Sequence, residues 1–167
     1  VIPAFKEGAK MSAAIFFLFI GGWLMARFMV TTGTTRHMVQ MFVGFEMSHT
    51  TLLVCMFVLF LILGCILEST SILVLTMPFM FPITQQYGLD PVWFGVFVTV
   101  MLVLAGISPP VGLNVFVVRS VCPHIPIVSI YKGAAPFILI LIITVVAICV
   151  WPEIVMAPVH SMMGSIR

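Results

Sequence analysis

Apolar residues in this chain come in long blocks, interrupted at a few points by short polar groups. Five stretches carry no acidic, lysine or arginine side chain: Met11 to Ala26, Met47 to Leu67, Ser69 to Leu89, Pro91 to Val118, and Gly133 to Pro152. A helix needs roughly 20 apolar residues to cross a hydrocarbon core about 30 Å thick, and each block has that scale. The apolar/polar alternation with regular turns that marks a membrane β-barrel is missing. The pattern predicts an all-α, polytopic helical membrane protein with four or five membrane-entering segments.

The breaks between blocks give the outline. Residues 1–10 read as an interfacial lead-in, and the first span covers about Met11–Val30, with Arg27 placed to snorkel toward the headgroups. The stretch from Thr31 to His49 is the most polar. Its Arg36, His37, Gln40 and Glu46 are interleaved with Met38, Met41, Phe42 and Phe45 at helical spacing, which predicts a short surface helix. Thr50–Leu67 is apolar and stops at Glu68-Ser69-Thr70-Ser71. A second run, Ile72–Ile83, begins at once, carries Pro78 and Pro82, and fades into turn residues at Gln85, Gln86 and Gly88. Two readings fit: a pair of full spans with an outside loop, or a re-entrant hairpin whose tip lies within the bilayer.

Asp90 and Pro91 suit the cap and the first position of a new helix. As one straight helix Val92 to Val118 would measure about 40 Å at 1.5 Å per residue, longer than the hydrocarbon core. It cannot be straight, because Pro109 and Pro110 each remove a backbone donor and clash with the preceding turn. A broken helix is predicted, with its gap at Ser108–Asn114. After a loop, Cys122 to Pro126, the last span covers about Ala134–Trp151, and a short polar tail ends at Arg167. Trp93 and Trp151 fall where interfacial aromatics are expected.

Composition agrees with the blocks: 62% of the 167 residues are apolar and only 7% charged, with a mean hydropathy of +1.30. Soluble domains carry about 25% charged residues. The net charge of +2 is far from a nucleic-acid footprint, and the basic residues are spread too evenly to assign orientation. Cys55, Cys65, Cys122 and Cys149 show no C-x-x-C spacing and read as buried thiols. His37, His49, His124 and His160 are scattered, which argues against zinc. Asp90 is the only Asp, and no nucleophile elbow or P-loop occurs; no enzyme is predicted. The chain begins at Val1 and is expected to be part of a longer polypeptide.

Two places can carry chemistry. Backbone groups freed at a helix break cost several kcal/mol each against lipid, so such a break persists only against protein or a water-filled cavity. Its carbonyls suit a small hard cation, and half-helix N-termini suit an anionic group. Ser108, Gly112 and Asn114 supply a hydroxyl, an open backbone approach and an amide there; the plainer reading is a proline kink relieved by Ser108. The other place is Glu68–Ser71. A carboxylate at bilayer depth costs of order 2.5–3.5 kcal/mol, so Glu68 is functional if the tip is deep and unremarkable if it lies outside.

The serial order of Leu63–Ser71, Leu75-Thr76-Met77-Pro78, Phe81-Pro82, Gly88–Gly95, Ser108–Phe116, Ala135-Pro136-Phe137 and Trp151–Ile154 resembles the carboxyl-terminal half of the large permease subunit of TRAP-type (tripartite ATP-independent periplasmic) transporters. The resemblance covers about Leu63 to Ile154, with a looser fit for the first span. It implies one inverted repeat of an elevator-type, sodium-coupled carrier of the ion-transporter superfamily. Residues 1–49 would be a lead-in, first span and interfacial helix. Residues 50–132 would be the transport repeat, with a re-entrant hairpin at 50–86 and a broken helix at 91–121. Residues 133–167 would be the final span and tail.

Sodium, the coupling ion and the only cofactor-like species expected, would bind at Thr70, Ser71, Ser108, Pro109 and Gly112, and substrate at Glu68, Ser69 and Asn114. The implied function is import of small organic acids, such as C4-dicarboxylates, across a bacterial or archaeal inner membrane. The implied partners are an extracytoplasmic solute-binding protein, a small membrane subunit, the missing N-terminal repeat and the lipid bilayer. Glu68 and Ser108 depart from the more frequent Asp and Thr, and Thr99 is the only polar side chain between Phe97 and the gap. Alternatives are another sodium/dicarboxylate symporter of the superfamily and a non-transporting membrane assembly module.

Overall fold

The structure, a computed structural model, describes residues 2–44, 47–109 and 112–164. These form eight helices with no strand among the described residues: α1 (Ile2–Thr31), α2 (Thr34–Gly44), α3 (His49–Gly64), α4 (Ser69–Gln86), α5 (Pro91–Ile107), α6 (Leu113–Val121), α7 (Ile127–Val150) and α8 (Glu153–Gly164). Of these, α1 from Phe5 and α7 are long and apolar enough to cross a membrane by length and composition. The fold is all-α, as the block pattern predicts.

Helix α5 is the centre. Trp93, Phe94, Phe97, Val98, Met101, Leu102, Leu104 and Ala105 are all buried and form one broad face. The opposite face, with Val92, Val96, Thr99 and Val103, is exposed, so the helix turns a broad apolar stripe toward its neighbours. Around it pack α3, α4, α6, α7 and α8. Helix α3 offers one stripe, Leu52, Met56, Phe60 and Gly64, at a spacing of four, the neighbour rule for one helix face. Gly64 meets Ala105 directly: a Cβ added at Gly64 would lie 2.1 Å from the Ala105 Cβ and 3.1 Å from its Cα.

Each element has a local cause. Asp90 caps α5 by accepting from the amides of Val92 (2.7 Å) and Trp93 (3.3 Å), and Pro91 opens the helix. Ser48 caps α3 through the Thr51 amide at 3.2 Å. Gly88 (φ 74°) turns the chain between α4 and α5, a conformation open to glycine. Helices α1 and α4 touch at Gly22, where Val74 fills the place of the missing side chain.

Several expectations need adjusting. Residues 2–10 continue α1 as one helix of 30 residues, about 45 Å long at 1.5 Å per residue. Helix α2 confirms the helical spacing after Thr34, while Phe45 and Glu46 lie outside the described residues. The last span begins at Ile127, seven residues before the expected Ala134, because Pro126 stands at its N-cap and the interior Pro136 is tolerated. The supposed tail contains α8, whose Val155 and Met156 pack on the core. Trp93 is not an exposed interfacial aromatic. It is 3% exposed, stacks on Phe97, and its indole N–H donates to the Ile148 carbonyl at 2.9 Å. The start of α5 therefore lies beside the end of α7, and the two run antiparallel. Cys55 is exposed and the other three thiols are half-buried, so burial was an overstatement for all four.

The Gly64–Ala105 contact leaves no room for a methyl group. Gly64→Ala is expected to destabilise the folded protein by about 1–3 kcal/mol through overpacking, and adding Ala105→Gly should recover most of that loss. Equilibrium unfolding of the purified protein in mixed micelles measures both.

Candidate ion and substrate site

The tip between α3 and α4 is built by Glu68. Its backbone is extended (φ −73°, ψ 149°), and it is the N-cap of α4. One carboxylate oxygen accepts from the Thr70 amide at 2.9 Å and from its hydroxyl at 2.8 Å. The other accepts from the Ser71 amide at 3.3 Å and its hydroxyl at 3.5 Å. About four lone-pair sites are available on a carboxylate, so Glu68 is largely occupied by the start of its own helix. The negative charge also sits at the favourable end of the α4 dipole. Thr70 and Ser71 donate their hydroxyl protons to Glu68, which leaves their oxygen lone pairs available to a cation.

The break has a simple backbone origin. In a continuous helix the carbonyls of Ala105 and Gly106 would accept from residues 109 and 110, and both are proline. Ala105 instead accepts from the Ser108 amide at 3.3 Å. Ser108, in the extended region (ψ 141°) that a following proline enforces, turns its hydroxyl onto the Leu104 carbonyl at 2.7 Å. The Gly106 carbonyl has lost its helical donor. Gly112 (φ 20°) folds the chain back over this end: a Cβ there would lie 2.9 Å from the Ser108 carbonyl oxygen and 3.2 Å from that of Gly106. Pro109 forms the turn, and Pro110 and Val111 lie outside the described residues.

Tip and break meet. Gly64, Leu67, Glu68, Ser69 and Ile72 from the hairpin line one cavity of about 80 Å³ with Leu102, Gly106 and Asn114. The Asn114 amide nitrogen would be 2.9 Å from a Cβ at Gly106, so the glycine admits this side chain. Asn114 stands in the first turn of α6, whose N-cap Gly112 supplies no side-chain cap; the free amide groups at that end carry partial positive charge.

The residues named from the sequence are thus distributed. Glu68, Ser69 and Asn114 share the cavity. Ser108, Pro109 and Gly112 form the adjacent break. Thr70 is held on Glu68, while Ser71 also borders a cleft against Phe17, Leu18, Gly21 and Gly22 of α1. Two contributors were missed, Gly64 and Gly106. The signal for Gly106 was present in the sequence: a proline four residues on always deprives a helical carbonyl of its donor. Gly64 had no comparable signal, because its need for a bare Cα comes from Ala105 on another helix.

The level of the tip along α1 is informative. Phe17, Leu18 and Gly21 occupy the middle of the apolar stretch Phe5–Thr31, and they border the same cleft as Ser71. Val74 meets Gly22, while Pro82 shares a cleft with Val30. The end of α4 also shares a basin with α2, the helix that follows α1, so α4 runs in the same direction as α1.

A helical membrane protein with a hairpin tip against a broken helix is the class that this arrangement defines. Comparison with known sequences gives the family. The family model described as "Tripartite ATP-independent periplasmic transporter, DctM component" matches residues 1–154, and the chain belongs to that family of TRAP transporter large permeases. It is 29% identical over 156 residues to the sialic acid TRAP transporter large permease protein of Vibrio cholerae, covering 91% of this chain and 35% of that protein. It is 31% identical over 116 residues to the sialic acid TRAP transporter permease protein of Haemophilus influenzae, covering 70% of this chain and 19% of that protein. Identity to the C4-dicarboxylate TRAP transporter large permease protein of Pseudomonas aeruginosa is 26% over 151 residues, covering 90% and 35% respectively. The chain spans about a third of the length of most of these relatives, which are named as transporter permeases.

The two topologies open to residues 50–86, a re-entrant hairpin and a pair of full spans, are separable by labelling. Single cysteines at Thr50 and Gln86, in a background without the four native thiols, are expected to react with an impermeant reagent from the same side of the membrane. Reaction from opposite faces would show two full spans.

Proposed function

We propose that this chain is the carboxyl-terminal repeat of a sodium-coupled TRAP large permease, one half of the site through which a small organic acid crosses a bacterial or archaeal inner membrane. The observation that carries this reading is the cavity shared by the α3–α4 tip and the end of α5, lined by Glu68 and Ser69 of the tip, by Gly106, whose carbonyl has no helical donor, and by Asn114 at the start of a half-helix. Sodium binds at the break, coordinated by backbone carbonyls from the Gly106–Pro109 region and by the Ser108 oxygen. The Ser108 proton points at Leu104, so its lone pairs remain free for a cation. Thr70 and Ser71 supply further hydroxyl oxygens from the tip, and Gly112 closes the turn.

The substrate's anionic end approaches the free amides at the start of α6, with Asn114 and Ser69 as hydrogen-bonding partners. Glu68 lines the substrate side of the cavity as a fixed negative charge that repels a carboxylate and favours a substrate hydroxyl or amine nearby. Glu68 also fixes the tip by capping α4. The hairpin is re-entrant in this reading, supported by the level of Ser71 against the middle of α1. One hairpin and one broken helix provide part of a coordination shell, and the amino-terminal repeat of the same permease supplies the rest. An extracytoplasmic binding protein delivers substrate, and a small membrane subunit completes the assembly. The repeat moves relative to its scaffold in an elevator-type cycle. Sialic acid and C4-dicarboxylates, named for the relatives, are the substrate classes to test first.

In the full-length permease, reconstituted with its partners, Ser108→Ala is expected to raise the sodium concentration for half-maximal uptake severalfold while the protein still inserts. Gly112→Val should be more severe, since its Cβ would press on two carbonyl oxygens. Sodium titrations on quantified, folded protein decide the matter. An unchanged midpoint in both variants, or lowered expression with unchanged sodium dependence, would leave Ser108 with the relief of a kink only.

A further inference from the structure

A second surface feature lies away from the cavity, where α1 packs on α4. Phe19, Trp23 and Val30 of α1 face Leu73, Met77 and Phe81 of α4 across a cleft of about 480 Å³ with almost wholly apolar walls. Pro82 is common to this cleft and to a second basin of about 650 Å³, lined by Arg36 and Gln40 of α2 and by Gln85 and Gln86 of α4. An apolar trough and a basin with a guanidinium and three carboxamides therefore adjoin at Pro82. Arg27, the other cation near this end, lies 6.0 Å from the Trp23 ring. No ion pair engages Arg36 among the described residues.

We propose that this trough and basin form a binding site for an anionic glycerophospholipid, with one acyl chain between α1 and α4 and its phosphate at Arg36. Three observations select that occupant. The basin lies beyond the end of the α1 span, on the amphipathic helix that follows it, which is headgroup level. From Phe19 to Val30 the trough extends about 16 Å along α1 at 1.5 Å per residue, the depth of one leaflet in a hydrocarbon core of about 30 Å. The basin's charge complements a phosphate, and its Gln40, Gln85 and Gln86 amides can donate to phosphate and ester oxygens. A peptide segment of the absent part of the permease could fill the trough but gives no reason for a cationic basin at one end. The inference needs only the membrane setting of the chain and does not depend on the sodium site.

The test uses the full-length permease purified and placed in nanodiscs of phosphatidylcholine containing a trace of phospholipid with a photoreactive acyl chain, either phosphatidylglycerol or phosphatidylcholine in headgroup. The phosphatidylglycerol probe is expected to label peptides spanning 19–30 and 73–82 in preference to the phosphatidylcholine probe. Arg36→Gln should lower that labelling about fivefold, the equivalent of about 1 kcal/mol for one basic side chain beside an anionic headgroup. Ala26→Phe, which fills the trough and leaves the charge intact, should remove it while labelling elsewhere stays constant. Equal labelling by both probes, labelling unaffected by either substitution, or cross-linking of Trp23→Cys to another segment of the permease in place of lipid would overturn the proposal. So would displacement by millimolar inorganic phosphate with no acyl-chain labelling, which would mark an ion site alone.

Discussion

The structure depends on two missing hydrogen-bond donors. Pro109 and Pro110 leave the carbonyls of Ala105 and Gly106 without their helical partners in a setting where lipid offers none. Each unsatisfied group at that depth costs several kcal/mol, so the surrounding chain must respond. Ser108 answers part of the loss, its amide donating to the Ala105 carbonyl and its hydroxyl to that of Leu104, while the Gly106 carbonyl keeps no helical donor. Gly112 brings the backbone over the helix end, and the hairpin tip closes the remaining side. The same loss that would be a defect in a soluble helix leaves oriented oxygens beside a small cavity.

Packing turns this local chemistry into a site. Helix α5 buries a broad face from Trp93 to Gly106, and its partners are held by contacts of different kinds: the α3 stripe ending at Gly64, the indole hydrogen bond from Trp93 to Ile148, and α6 folded against the end of α5. Because Gly64 comes so close to Ala105, the residues that follow it reach the level of Gly106 with only a small cavity left between. Without that approach Glu68 and Ser69 would stand away from Asn114, and the two motifs would be separate features of the chain.

Much of this was legible in the sequence, and the limits have physical causes. The broken helix could be read because a double proline acts on its own backbone, whatever surrounds it. The cap at Asp90 is equally local, whereas the cap that Glu68 makes on α4 was not read in advance. The topology of residues 50–86 could not be read from those residues alone, since two apolar arms joined by four polar residues suit either a re-entrant hairpin or a pair of spans. Trp93 was misread because its indole could face headgroups or another helix, and only the position of α7 decides. The helix in the carboxyl-terminal tail was missed because Pro152 and Pro158 obscure a segment whose apolar positions are held by α5 and α7.

The notch at Gly22 bears on how these helices can slide. Val74 occupies the space a side chain would take, so α1 and α4 are engaged like a pawl in a ratchet tooth. Any shift of α4 along α1 must first lift Val74 out of that notch, and the next small residue toward the end of α1 is Ala26, about 6 Å away at 1.5 Å per residue. Displacement between the two helices would then come in steps of about one helical turn, with resting positions set by the spacing of small side chains and a barrier between them.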